Sequence, residues 1–290
     1  MKKLMGVQML MLAVLLLTAS LGLSQDKFGG LTLYTLRNDM GKNADSTLRE
    51  VAAVGYKYIE AADYRDGKFY KMTPEQFKSA LDALDLIPLS AHMGGVTLEN
   101  ADQQIADAKA AGFKYFVLPV PPQGFMDFDR EARSIKMKGD IKELTELMNT
   151  LGKKCKEAGL ELLYHNHDFE YKKDENGIVP IEFFMENTDP ELVNFQVDLY
   201  WVVKAEADPI AYMEKYPGRY KIWHIKDMDE QGRFAPVGTG TIDFAKILEK
   251  KEVSGMKYYI VEQDRTFDDM EPLEAIKISH EGLKRFGFNK

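Results

Sequence analysis

The sequence predicts a single α/β domain closed as a (β/α)8 barrel. Eight short β-type runs alternate with longer amphipathic segments, the signature of parallel strands joined by helices. A chain of 290 residues has room for eight such units. A doubly wound open sheet would carry a glycine-rich phosphate turn after its first strand, and here that strand runs into "LYTLRNDMGKN". Hydrophobic residues make up 45% of the chain, enough for one large core, and no repeat, low-complexity tract or linker divides it.

The N-terminus comes first. "MKKLMGVQMLMLAVLLLTASLGLSQDK" opens with Lys2 and Lys3, continues as an apolar run to about Leu17, and ends in small and polar residues from Thr18 to Ser24. This is the pattern of a secretory signal peptide, expected over 1–24 with the barrel over 28–290. The apolar run is short for a membrane span, which needs roughly 20 residues. The expectation is therefore an exported, periplasmic protein with no membrane attachment once the leader is removed.

The strand candidates follow in order. They are "LTLYTLR" from Leu31, "YKYIEAA" from Tyr56, "IPLSAH" from Ile87, "KYFVLPV" from Lys114, "LELLYHN" from Leu160, "NFQVDLYW" from Asn194, "RYKIWHIKD" from Arg219 and "KYYIVEQD" from Lys257. Helical patterns lie between them, at Ala44 to Val54, Pro74 to Leu84, Ala101 to Ala111, Ile141 to Ala158, Phe244 to Lys250 and Pro272 to Phe286. Thr73 before Pro74 and Glu75 reads as an N-cap with proline in the first turn. "AAGF" and "EAGL" place glycine at two helix ends.

Charge and cysteine content exclude several classes. The net charge is −8, and about −10 without Lys2 and Lys3, which disfavours nucleic acid as a partner. Cys155 is the only cysteine, so there is no intrachain disulfide and no thiolate metal site. Its helical context, "LGKKCKEAGL", makes it a small helix residue rather than a nucleophile.

In a (β/α)8 barrel, chemistry sits at the C-terminal ends of the strands. Every strand end in the second half of this chain carries a candidate ligand. Strand five ends with His165 and His167 in "YHNHDFEY", strand six carries Asp198, strand seven His224 and strand eight Glu262. Each alone has an ordinary structural reading: a helix cap for Asp198, a hydrogen-bonded core histidine for His224, a solvated strand end for Glu262 and Asp264. Their coincidence at comparable depth on successive strands is the signal, because isolated acids in apolar strands are costly unless paired or metal-bound. Nitrogen and oxygen donors without thiolate suit one divalent ion such as Mn²⁺, Zn²⁺, Co²⁺ or Mg²⁺.

"YHNHDFEY", "QVDLYWVVKAEADPIAYMEKYPGRYKIWHIKDMD" and "PVGTGTIDF" together resemble the sugar phosphate isomerase/epimerase group, the xylose isomerase-like TIM barrels. The resemblance covers nearly all the chain after the leader. It implies a divalent metal held by an acid from strand five, an Asp from strand six, a His from strand seven and a Glu from strand eight. Asp198, His224 and Glu262 match the last three. Strand five departs from the pattern: ketose epimerases and hydroxypyruvate isomerases carry a Glu where this chain has Leu163 or Tyr164. His165, His167 and Glu170 are the candidates to replace it, and His165 and His167 share strand parity.

The chemistry so implied is removal of a proton next to a carbonyl or hydroxyl, with Glu262 as ligand and base and His167 or Glu170 acting from the opposite side. His92, Glu60, Arg37, Lys226 and Trp201 are further candidates to touch substrate; solvation, pairing or core packing is the alternative for each. The expected partner is a small carbohydrate. Export favours an unphosphorylated sugar, a keto sugar or a glycoside. The reaction expected is isomerisation or epimerisation, with a lyase or a non-catalytic sugar-binding module as alternatives. A metal-dependent phosphodiesterase or AP-endonuclease-like enzyme fits poorly, given five histidines and a negative charge. A purely structural protein would not need these strand ends.

Overall fold

The computed structural model describes residues 27–129, 134–174 and 176–288. The expected leader over 1–24 lies outside the described residues. Eight parallel strands close into a barrel. They are β1 (Gly30–Thr32), β2 (Tyr58–Ala61), β3 (Ile87–His92), β4 (Tyr115–Leu118), β5 (Glu161–His165), β6 (Val193–Asp198), β7 (Tyr220–Ile225) and β8 (Tyr258–Val261). Each pairs with the next in sequence, and β1 closes on β8 through Gly30 opposite Ile260 and Leu31 opposite Val261.

The main outer helices are α1 (Ala44–Val54), α2 (Pro74–Asp82), α3 (Ala101–Ala110), α4 (Ile141–Ala158), α5 (Pro180–Asn187), α6 (Pro209–Lys215), α7 (Phe244–Leu248) and α8 (Pro272–Phe286). Local chemistry sets their ends. Thr73 and Gln76 form a reciprocal capping box at the start of α2. Asp140 accepts from Lys142 N to start α4, and Gly159, at φ 86°, ends it in the left-handed conformation that favours glycine. Cys155 is buried on the inner face of α4, and burial pushes its thiol up to about 12, as befits an inert core residue.

Two strand expectations are corrected. The run "NFQVDLYW" does not continue as strand: β6 stops at Asp198, whose carboxylate accepts from Trp201 N and caps a short helix, Leu199–Lys204. "LTLYTLR" is strand only to Thr32. Successive turns bond Thr35 N to Thr32 O and Leu36 N to Leu33 O, and Arg37 begins the helix Arg37–Lys42 instead of ending a strand.

The barrel interior is layered by the period of two along each strand. Leu89, Tyr115, Val117, Leu163, Ile222 and Ile260 form an apolar cluster of their own inside the barrel. Two residues further along the same strands stand His165, His224 and Glu262, and Tyr58 is followed in the same way by Glu60. The lumen therefore changes from apolar to polar in one step, at the end where the strands finish.

Candidate metal centre and cleft

The polar layer is dense. Glu60, Asp198 and His224 are wholly inaccessible to solvent, and His165, Lys226 and Glu262 nearly so. Ligand atoms of His165, Asp198, His224 and Glu262 all lie within 4.8 Å of one another. These side chains come from β5, β6 and β7 and from the residue just past β8, so closure of the barrel brings them together.

His224 sits between two carboxylates, with Nε2 2.8 Å from Glu60 Oε1 and Nδ1 2.9 Å from Glu262 Oε2. Burial opposes charge on this ring, but Glu60 and Glu262 outweigh it and lift its pKa to about 10. Lys226 lies under the same acids. Its Nζ is 2.9 Å from Asp198 Oδ2, 2.8 Å from Glu262 Oε2 and 3.0 Å from Asp264 Oδ2. Burial would raise the Glu262 carboxyl, yet Lys226 and His224 hold it well below the usual carboxylate range. Burial dominates at Asp198 and pushes it up to about 7. Asn166 pins the end of β6 from both sides: its Oδ1 accepts from Asp198 N at 3.0 Å, and its Nδ2 donates to Asp198 O at 3.3 Å.

A second set of contacts lies beside the first. Glu60 Oε2 accepts from Ser90 Oγ at 2.7 Å and from Gln196 Nε2 at 2.6 Å. Gln196 Oε1 faces His92 Nε2 at 2.8 Å and His165 Nδ1 at 3.0 Å. Burial pushes His165 well below the ordinary histidine range, so its ring is neutral.

Above this layer opens a cleft of about 540 Å³, lined among others by His92, His165, His167, Trp201, Phe234 and Glu262. The His165 and His167 rings are 5.0 Å apart, and His167 lies 5.3 Å from Trp201. Burial pushes His167 down to about 3, so it too is neutral. Phe234, in a two-stranded hairpin after β7, packs 4.5 Å from Tyr200 and 5.6 Å from Trp201.

The sequence-derived candidates divide accordingly. His165, Asp198, His224 and Glu262 form the four-donor group; His167 reaches the cleft but not that group. His92 and Trp201 line the cleft. Lys226 and Glu60 do not line it, because each is buried among partners of opposite charge or hydrogen-bonding complement. Arg37 is exposed and does not itself line the cleft, but its guanidinium lies 4.4 Å from the ring of Tyr34, which does, and donates to Tyr34 O. Glu170 is buried in the short turn after β5, where it accepts from Tyr164 OH at 2.7 Å and His167 N at 2.8 Å. It supports the His167 backbone and does not reach the cleft. Gln196, Ser90, Asn166 and Phe234 were not anticipated. For Gln196 the available signal was its parity, two residues before Asp198 on the same strand face.

A parallel barrel with a buried histidine–carboxylate cluster at its C-terminal end defines a class of protein, and the comparisons agree with it. The chain matches the xylose isomerase-like TIM barrel family over residues 48–286 and belongs to that family. It is 27% identical over 253 residues to an inosose dehydratase of Clostridium tetani, covering 76% of this chain and 82% of the relative. It is also 27% identical over 277 residues to an inosose dehydratase of Clostridium perfringens, covering 82% and 89%. Among solved structures, a sugar phosphate isomerase/epimerase from Parabacteroides distasonis superposes with a TM-score of 0.78 at 28% identity, covering 93% of this chain and 97% of that one.

Proposed function

We propose that this protein is a divalent-metal-dependent enzyme that removes a proton from a carbon next to a carbonyl in a sugar or keto sugar, leading to isomerisation or epimerisation. The observation that carries this reading is the four-donor group of His165, Asp198, His224 and Glu262 beneath a histidine-lined cleft. The residues fit such an ion. Three buried carboxylates, Glu60, Asp198 and Glu262, and the partly exposed Asp264 face two cations, Lys226 and His224, an excess of negative charge that a divalent ion would offset on displacing the His224 proton. Two neutral-capable imidazoles and two carboxylates are a donor set for Zn²⁺, Mn²⁺ or Co²⁺.

When bound there, a divalent ion supplies Lewis-acid polarisation of substrate oxygens. The chain's own groups do the rest. Trp201 and Phe234 give the cleft an apolar wall against which a sugar face packs. His167 faces the cleft from the β5 side with a neutral ring, which burial makes a weak base, and Glu262 lies on the β8 side. A proton taken by one and returned by the other to the same carbon inverts it; a proton returned to the neighbouring carbon by the group that took it, with the hydroxyl proton passing between the two oxygens, shifts a carbonyl.

A second reading, dehydration, is favoured by the names of the two clostridial relatives. The same proton removal followed by loss of water needs an acid. His92 lines the cleft and, although burial opposes its charge, Glu60 raises its pKa. The export expected from the leader adds that the substrate is unphosphorylated.

The test is incubation of metal-loaded protein in D₂O with free keto sugars, their phosphates and inososes. Deuterium at the carbon next to the carbonyl, without loss of water, supports isomerisation; water loss supports dehydration. His167→Gln should slow exchange by about 10²-fold or more while metal content is kept. No exchange with any of these substrates contradicts the reading, and preference for a phosphorylated ketose contradicts its last part.

A further inference from the structure

We propose that Gln196 and Glu60 act as a tautomer lock: together they hold His165 with its proton on Nδ1, leaving Nε2 bare, and so make His165 rather than His167 the strand-five ligand. The inference rests on the metal reading above for its second half only.

The chain of reasoning begins at Glu60. Its carboxylate oxygens are acceptors, and Oε2 takes hydrogen bonds from Ser90 Oγ at 2.7 Å and from the Gln196 side chain at 2.6 Å. Only the amide nitrogen of Gln196 can donate, so that nitrogen must face Glu60. The amide oxygen is then fixed on the opposite side, where it meets His165 Nδ1 at 3.0 Å and His92 Nε2 at 2.8 Å. A carbonyl oxygen has no proton to give, so both ring nitrogens must carry one. Glu60 Oε1 lies 3.1 Å from the same His92 nitrogen.

For His165 the consequence is specific. A neutral imidazole with Nδ1–H has its lone pair on Nε2, which is the atom left to join Asp198, His224 and Glu262. His167 has no such fixing contact: its Nδ1 is buried without a hydrogen-bond partner. Gln196 and Glu60 are thus positioning residues. They sit on β6 and β2 and reach a ligand on β5, which ties three strands to one proton placement.

The test is ¹⁵N-histidine NMR of the full-length, metal-free protein, with the five rings assigned by single His→Gln variants, followed by Zn²⁺ titration. The lock predicts protonated Nδ1 and bare Nε2 at His165 before any metal is added, and Nε2 as the zinc-shifted atom afterwards. Gln196→Met keeps the length and removes the acceptor. It should lose that pattern and weaken zinc binding about 10- to 100-fold. The exchange Glu60→Gln with Gln196→Glu restores a donor facing an acceptor and should recover both, whereas a role in packing alone would not distinguish the swap from the single change.

His165 with the proton on Nε2 in the metal-free wild type overturns the lock, and Gln196→Met binding zinc like the wild type overturns the ligand half of the inference. A wild type that shows the expected tautomer but takes up no zinc overturns the metal reading and the ligand half of the inference, and leaves the tautomer lock standing.

Discussion

Glu170 shows how a single residue can carry the right chemistry in the wrong place. The sequence offered it as a strand-five ligand or a base opposite Glu262, yet it is buried with Tyr164 and the His167 backbone as partners. Burial raises its carboxyl from the usual 4.5 to about 8. The folded state then holds this proton more tightly than the unfolded chain does. Stability from this group is full below about pH 4.5 and is lost as pH rises through about 8. Glu170→Gln removes that titration, and its amide oxygen can still accept a hydrogen bond from one of the two donors, Tyr164 OH or His167 N. Urea unfolding at pH 5 and pH 9 should show a smaller pH-dependent loss in the variant, the difference being a few kcal/mol at most. Parallel losses in the two proteins would contradict the assignment, and collapse of deuterium exchange with metal and fold intact would return Glu170 to the chemistry.

At the scale of elements, the glycines and the aspartate of "HIKDMD…PVGTGTID" find their reason in one loop. Asp227 accepts from Met228 N and Ile242 N on one oxygen and from Gly238 N and Gly240 N on the other. This gathers the segment between β7 and α7 and holds the Phe234 hairpin at the cleft. The same loop presses on α8: a Cβ on Gly282 would lie 1.9 Å from Val237 O. Glycine in mid-helix costs about 1 kcal/mol relative to alanine, so only a close approach accounts for it. Gly282→Ala should therefore destabilise the protein by roughly 1–3 kcal/mol despite the better helix propensity, and should loosen the Phe234 wall. A thermal unfolding midpoint equal to or above that of the wild type would refute the close approach.

Elements were legible in the sequence where local chemistry decides them. Ala44–Val54, Ile141–Ala158 and Pro272–Phe286 form as read, because caps and apolar spacing lie within each segment. The end of β6 was misread because the Asp198 side chain, not the apolar pattern of "LYW", stops the strand.

For the molecule as a whole, the four-donor group was legible because one polar residue stands at each successive strand end and a barrel must bring those ends together. What lay beyond reach was the partnership among them. Glu60 meets His224 and Gln196 only across the closed lumen, 164 and 136 residues apart in sequence, and no local pattern encodes such a meeting. Lys226 gave the opposite signal, reading as a cation near substrate when the buried Asp198 and Glu262 and the partly exposed Asp264 claim it. Both cases follow from closure, which converts residues scattered along the chain into one buried network.

The measurement that tests the central claim most directly is the divalent-ion content of the purified, dialysed protein, compared with His224→Ala and the near-isosteric Asp198→Asn. One tightly held ion per chain that raises the unfolding temperature of the wild type and is lost or much weakened in both variants is the predicted result. A wild type that takes up none of Mn²⁺, Co²⁺ or Zn²⁺ when offered each in turn would contradict the account.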